Sequence, residues 1–223
     1  MTGTFPPGRP STGTVEAAVR SLFPSGVAVA VTAISEASDA DLWPEEAAAV
    51  VGAVPKRRAE FRAGRSAARR CLSELGLPPV ALPMGADRAP VWPDGIAGSI
   101  AHAADIAVAV ASRSCILGVD VEADAPLDPE LWPVICAAAE LARMPIDRRG
   151  QLVRQVFAAK EAVFKAQAPA TRAMFGFDVV AVTLAEDGFA AQFTRTVGAF
   201  RSGQVLPGRL LRIGGLILAG VTR

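Results

Sequence analysis

Leu117-Gly118-Val119-Asp120-Val121-Glu122 alternates apolar and acidic residues toward its end. In a strand successive side chains point to opposite faces. Asp120 and Glu122 then share one face, and Val119 and Val121 are left for a core. Two carboxylates side by side repel unless a cation or a proton stands between them. A surface strand shows the same alternation, so the triplet has two readings. A second stretch, Phe157-Ala158-Ala159-Lys160-Glu161-Ala162-Val163-Phe164-Lys165, lies in the strongest helical pattern of the chain, residues 151–167. At about 100° per residue, Leu152, Val153, Val156, Phe157, Val163 and Phe164 form one apolar stripe. Lys160 falls inside it and must find a partner or reach out of it. Glu161 and Lys165, at i and i+4, make an ordinary helical ion pair on the polar side. If their face meets the strand, Glu161 instead joins Asp120 and Glu122 as a third hard oxygen donor. Such a set suits Mg²⁺, which shares its shell with phosphate and water.

Working outward, apolar β-branched runs predict strands at residues 26–33, 106–112 and 116–121, and further strands at 179–184, 188–194 and 216–221, with Gly214-Gly215 as a connection. Residues 15–23 read as a short helix, and 41–54 as helical in the middle. Pro55 opens a helix over 56–75 that Gly76 and Pro78 stop. Residues 131–141 read as helical and 145–150 as a loop. His102 sits in a polar break just before a strand. The order is not a regular βαβα alternation, and neither a G-x-G-x-x-G loop nor a Walker sequence is present. The expected fold class is α+β. The expected division is a tail over 1–14 and two similar halves, 15–113 and 114–223.

The helix over 56–75 is basic. Arg58, Arg62, Arg65 and Arg69 recur at spacings of four, three and four and so share a face. That face is either solvated or built for anions such as phosphates. The balance over the whole chain is even, with 23 basic against 22 acidic residues and a net charge of +1. A global field for nucleic acid or membrane is excluded on that ground. Only three residues are lysine, Lys56, Lys160 and Lys165, so two of the three fall within one motif. Cys71, Cys115 and Cys136 are odd in number and fit no zinc or redox spacing, as for small core residues in a reducing cytoplasm. No apolar run approaches the roughly 18–20 residues that span a bilayer. Pro6, Pro7 and Pro10 interrupt any signal-peptide core. A cytoplasmic protein is expected.

Taken together, the motifs resemble those of the 4′-phosphopantetheinyl transferases of the long, surfactin- and enterobactin-type class. The family's G-[VI]-D-x-E is Gly118 to Glu122, and its [FW]-x-x-K-E-[AS]-x-[FY]-K is Phe157 to Lys165. The upstream basic signature is similar to Lys56-Arg57-Arg58, Phe61 and Gly64-Arg65-Ser66-Ala67-Ala68. The P-x-W-P-x-G-x-x-G-S segment ending in histidine is similar to Pro90 through His102. The resemblance covers residues 55–166, four motifs in order.

The resemblance implies an enzyme that moves phosphopantetheine from coenzyme A to a serine of an apo carrier protein of fatty-acid, polyketide or nonribosomal-peptide (including siderophore) synthesis, releasing 3′,5′-ADP. It implies Mg²⁺, or Mn²⁺ in its place, on Asp120, Glu122 and Glu161. It implies coenzyme A contacts from Lys56, Arg57 or Arg58, Arg65, Arg88, Ser99, His102, Lys160 and Lys165. Lys165 would meet the transferring phosphate. Glu161 would be the base, with Glu140 as the alternative. It further implies a monomer that binds neither nucleic acid nor membrane, built from two similar α/β subdomains about a pseudo-twofold axis with the site between them. Ala101 and Ala158 stand where many members carry a hydroxyl residue, which sets weaker coenzyme A binding as an expectation. A different Mg²⁺-dependent phosphoryl transferase or hydrolase, and a silent binding module, are the rival readings. The intact acids and lysines argue against silence.

Overall fold

A computed structural model describes residues 10–38, 40 and 42–223 of the chain. Helix α1 (Thr12–Ser21) starts where the Ser11 hydroxyl accepts from the backbone N–H of Thr14. It thus begins inside the expected tail; residues 1–9 lie outside the described ones. Strand β1 (Ala28–Ala33), the short helix α2 (Pro44–Ala47) and the long helix α3 (Pro55–Glu74) follow. Strands β2 (Ala97–Ala103) and β3 (Ile106–Ser112) complete an antiparallel sheet of order β1-β3-β2. The second half opens with β4 (Leu117–Ala123). Short helices α4 (Trp132–Ile135) and α5 (Ala138–Leu141) lead to the long helix α6 (Arg149–Thr171). Strands β5 (Val180–Ala185), β6 (Gly188–Phe193), β7 (Val205–Ile213) and β8 (Leu216–Thr222) form, with β4, an antiparallel sheet of order β4-β8-β7-β6-β5.

The fold is α+β, with one long helix across each of two sheets. The chain leaves the first sheet at Ser112 and enters the second at Leu117. The sheets themselves differ, three strands against five.

Side-chain alternation explains how the halves join. In β1, Ala28 and Ala30 face Ala67, Ala68, Cys71 and Leu72 of α3, whereas Val29 and Val31 face the other way. Strand β3 repeats the pattern with Ala109 and Ala111 against Val108 and Val110. Alanines let the helix approach closely, and valines fill the space toward the second sheet. Leu117, Val119 and Val121 of β4 and Leu216 and Leu218 of β8 meet those valines, with Val15 and Val19 of α1 closing the end. Each such side chain, fully buried, contributes roughly 1.5–3 kcal/mol. This interior belongs to both halves.

Four local readings are corrected. His102 lies inside β2, not in a break before a strand; Gly98 and Ser99 disguise that strand as polar. Residues 131–141 form two short helices broken at Cys136, whose backbone is extended (ψ 135). Helix α6 begins at Arg149, inside the expected loop. Strand β7 was not expected, because Pro207, Gly208, the Leu210-Leu211 pair and the two arginines Arg209 and Arg212 blur its period. Its Gly208 is required: a Cβ there would meet the Phe189 ring at 2.1 Å, in the register that pairs the two residues. Of the expected helical middle of 41–54, α2 and a 3₁₀ turn at Ala48–Val50 form, and Asp41 lies outside the described residues. Among the described residues no helix is long and apolar enough to cross a membrane.

Candidate active site

The acidic strand and the lysine-bearing helix lie against each other because of one glycine. A Cβ on Gly118 would come within 2.0 Å of the Ala162 carbonyl oxygen and 2.7 Å of the Ala166 nitrogen. With hydrogen there, β4 touches the backbone of α6, and the face of β4 opposite the valine core meets the helix. Asp120 projects from that face and is buried. Its Oδ1 accepts from Lys165 Nζ at 2.6 Å, while its Oδ2 is buried with no hydrogen-bond partner among the described residues. Lys165 thus reaches across to the strand rather than closing the helical pair with Glu161. Glu122, at the rim, accepts from Arg154 Nη1 at 3.0 Å, and Arg154 Nε donates to the Ala125 carbonyl.

Glu122 and Glu161 each feel the charge of Asp120. Burial raises the Asp120 pKa above the ordinary carboxylate range, against the pull of Lys165. Burial and then the charge of Asp120 push Glu122 up to about 7, with Arg154 opposing. Glu161 is raised by burial and by Asp120, with Lys165 opposing. Carboxylates are hard oxygen donors, and burial makes each of these costly to ionise without a cation nearby. In this structure the chain's own Lys165 and Arg154 stand on two of them. No three carboxylate, histidine or cysteine side chains are gathered into one ligand set among the described residues.

The basic end comes from the first half. His102 of β2 accepts at Nε2 from Arg57 Nη1 at 3.0 Å. Glu60 lies beneath, its Oε2 3.7 Å from His102 Nδ1 and 4.0 Å from Arg57 Nη1, with Lys56 3.9 Å from its Oε1. Arg65, one helix face along, is buried; its Nε donates to the Leu82 carbonyl at 2.6 Å and its guanidinium sits 4.2 Å from the Phe61 ring. Burial pushes its pKa down to about 10, with Glu46 opposing and Arg57 and Arg69 adding to the fall. It therefore remains a cation at neutral pH. Lys165 also lowers the His102 pKa, after burial and Arg57, so the acidic and basic ends share one electrostatic field.

Residues 45–112 match the 4′-phosphopantetheinyl transferase N-terminal domain, and residues 116–206 match the 4′-phosphopantetheinyl transferase superfamily. The seam between the matches is the step from β3 to β4. The chain is 39% identical over 203 residues to the 4′-phosphopantetheinyl transferase Svp of Streptomyces mobaraensis, across 86% of this chain and 80% of that one. The chain belongs to the 4′-phosphopantetheinyl transferase family. It is 34% identical over 198 residues to the transferase Npt of Nocardia iowensis, across 86% of both chains. It is 35% identical over 191 residues to the transferase PptT of Mycobacterium tuberculosis, across 80% of this chain and 84% of that one.

In this phosphopantetheinyl transferase Lys165 bonds Asp120, whose charge also reaches Glu122 and Glu161, and Arg57 bonds His102 and lies within electrostatic reach of Arg65. Arg57, not Arg58, bonds His102. Several expected site residues stand elsewhere. Ser99 is buried; its hydroxyl accepts from the Val119 N–H at 3.1 Å and faces the Val119 carbonyl at 3.5 Å. It stitches β2 to β4 and is not available to coenzyme A. Lys160 is buried with all three N–H bonds satisfied, by the Ile135 and Phe177 carbonyls and by Glu140 Oε2 at 2.9 Å. Five residues from Lys165, it points about 140° away around the helix. Glu140 also accepts from the backbone N–H groups of Ala137 and Val182. Saturated and buried on the far side of α6, it is neither base nor water-positioning group. Arg88 is exposed in a turn at φ 67, and among the described residues no hydrogen bond or ion pair joins it to Arg57, His102 or Lys165. Lys56 is exposed beyond Glu60. The basic face over Arg58–Arg69 does not form as one: Arg69 turns inward onto Glu46 at 2.7 Å. Ala101 and Ala158 both lie in apolar cores.

Glu60 and Arg154 were not anticipated. Both carry a spacing signal: Glu60 is i+3 and i+4 from two basic motif residues, and Arg154 is two turns before Glu161 on the same face.

Proposed function

We propose that this transferase moves 4′-phosphopantetheine from coenzyme A to a serine hydroxyl of an apo carrier protein of fatty-acid, polyketide or nonribosomal-peptide synthesis, depends on Mg²⁺ (with Mn²⁺ able to replace it), and releases 3′,5′-ADP. The observation that carries this reading is Asp120: a buried carboxylate with one oxygen on Lys165 and the other unpartnered, beside two further carboxylates of raised pKa.

Arg57, Arg65 and His102 would hold the 3′-phosphate end of coenzyme A. Asp120, Glu122 and Glu161 would hold the divalent ion. When bound, the ion supplies positive charge against the pyrophosphate oxygens. Lys165 Nζ would exchange Asp120 for an oxygen of the transferring phosphate, and its charge would offset the negative charge that develops there. Glu161 accepts the serine proton, directly or through one water; a carboxylate raised above its usual range is a better match to a hydroxyl than an ordinary one. With Glu140 saturated, Glu161 has no rival for that role among the acids of α5 and α6. The chain acts as a monomer in the cytoplasm in this reading, and the division into halves at residues 113 and 114 puts coenzyme A across the seam.

The test is direct. The purified chain, coenzyme A, Mg²⁺ and a panel of apo fatty-acid, polyketide and peptide carriers are incubated and weighed by mass spectrometry. At least one carrier gains the phosphopantetheine mass, and EDTA stops the gain. No mass shift on any carrier overturns the reading.

A further inference from the structure

The Glu60 carboxylate is out of place in a cleft read as a phosphate site. A negative charge there opposes an incoming dianion, and yet its side chain is only 12% exposed and faces the cluster. It lies within 4.0 Å of three basic groups, Lys56, Arg57 and His102. A helix-surface ion pair does not require that burial.

The imidazole resolves the conflict. An arginine N–H only donates, so the 3.0 Å contact from Arg57 makes His102 Nε2 an acceptor. The ring proton is then on Nδ1, which lies 3.7 Å from Glu60 Oε2. In this state His102 is neutral and has nothing to donate to a phosphate. The charged groups facing it are Lys56, Arg57 and Glu60 from α3 and Lys165 from α6. Three are cations that disfavour a second ring proton; Glu60 alone favours it. Burial also disfavours it, so the free ring stays neutral at neutral pH.

We propose that Glu60 is a positioning residue that turns His102 into a proton-linked ligand of the coenzyme A 3′-phosphate. This rests on the reading of His102 and Arg57 as the 3′-phosphate site. As the phosphate arrives, Arg57 turns its N–H groups from the ring to the phosphate oxygens. Nε2 takes a proton from solvent and donates it to the same phosphate. Nδ1–H stays directed at Glu60, which holds the ring plane and balances the imidazolium. Selectivity for the 3′-phosphorylated ligand therefore arises from a carboxylate that never touches it.

The experiment is calorimetric titration of the whole chain, in Mg²⁺, with coenzyme A and with dephospho-coenzyme A, in buffers of different ionisation enthalpy. At about pH 7.5, between the ordinary histidine pKa and the range in which lysine titrates, wild type takes up a proton on binding coenzyme A and none on binding dephospho-coenzyme A. Glu60→Gln keeps size and loses the charge. It loses the proton uptake, and its preference for coenzyme A over dephospho-coenzyme A falls roughly tenfold or more, the scale of one charged hydrogen bond. His102→Gln loses both as well. Absence of proton uptake in wild type overturns the proposal without any variant. If His102→Gln loses the preference while Glu60→Gln keeps preference and uptake, the proposal falls and the phosphate site stands. If His102→Gln keeps the preference, the phosphate site itself falls, and the proposal with it.

Discussion

Asp120 and Lys160 are both ionisable groups removed from water, and the protein completes only one of them. Lys160 has three acceptors for three protons, one of them a carboxylate that is itself satisfied by two backbone N–H groups. Removing it leaves Glu140 charged and buried, so Lys160→Met loses about 3–5 kcal/mol in urea unfolding. Normal stability with weakened coenzyme A binding would return Lys160 to the site. Asp120 is left incomplete, with one buried oxygen bare, a state that costs roughly 1–3 kcal/mol. Asp120→Asn is therefore expected to lower transfer by about 100-fold or more without lowering the thermal midpoint, as read by carrier mass and calorimetry. A large fall in the midpoint would make Asp120 a structural residue. The distinction between the two motif lysines was half legible in sequence. Lys160 falls in the apolar stripe and Lys165 does not, which marks Lys160 as the one needing a buried partner. Which acid answers it depends on the packing of α5 against α6, and no spacing encodes that.

At the scale of the element, the acidic strand works because it has no side chain at Gly118. Gly118→Ala places a methyl carbon on backbone that cannot yield cheaply, and β4 must shift away from α6. The expected result is a loss of about 1–3 kcal/mol, and, because the 2.6 Å contact of Lys165 with Asp120 opens, a fall in kcat larger than the rise in KM for coenzyme A. Full activity with lowered stability would uncouple that packing from the site. Strand β4 was readable because its alternation puts valines on one face and acids on the other. Strand β2 was not, since Gly98 lies under Trp92, where a Cβ would meet the ring at 2.2 Å, and Ser99 is bonded to a neighbouring strand. Both choices are dictated by contacts distant in sequence, and both look locally like a loop. The same holds for β7, whose Gly208 answers to Phe189.

For the whole molecule, the raised acids set a pH dependence. Glu122 binds its proton more tightly folded, at about 7, than unfolded, near the ordinary glutamate value of 4.5. The folded state then holds more protons between those values, so stability falls as pH rises through that window and the contribution is gone above it. In EDTA, wild type is expected to lose ground to Glu122→Gln as the pH goes from about 5 to about 8, by chemical unfolding at each pH. A constant difference would mean that Glu122 ionises in the fold as easily as in the unfolded chain. A divalent ion that binds only the folded state reverses the trend, adding about 2.7 kcal/mol at a hundred times its Kd.

The interior shared by the two sheets has a consequence for recombination. Residues 113–116 look like a natural crossover point, since the first sheet ends before them and the second begins after them. Yet Val29, Val31, Val108 and Val110 come from one side of that point, and Leu117, Val119, Val121, Leu216 and Leu218 from the other. A hybrid made from two parents inherits half of a jigsaw from each. Every methylene by which the parents differ becomes a void or an overlap of roughly 1 kcal/mol, at positions buried between the two sheets. Productive hybrids of these enzymes must exchange the valine layer as a block and leave the cleft residues to vary around it.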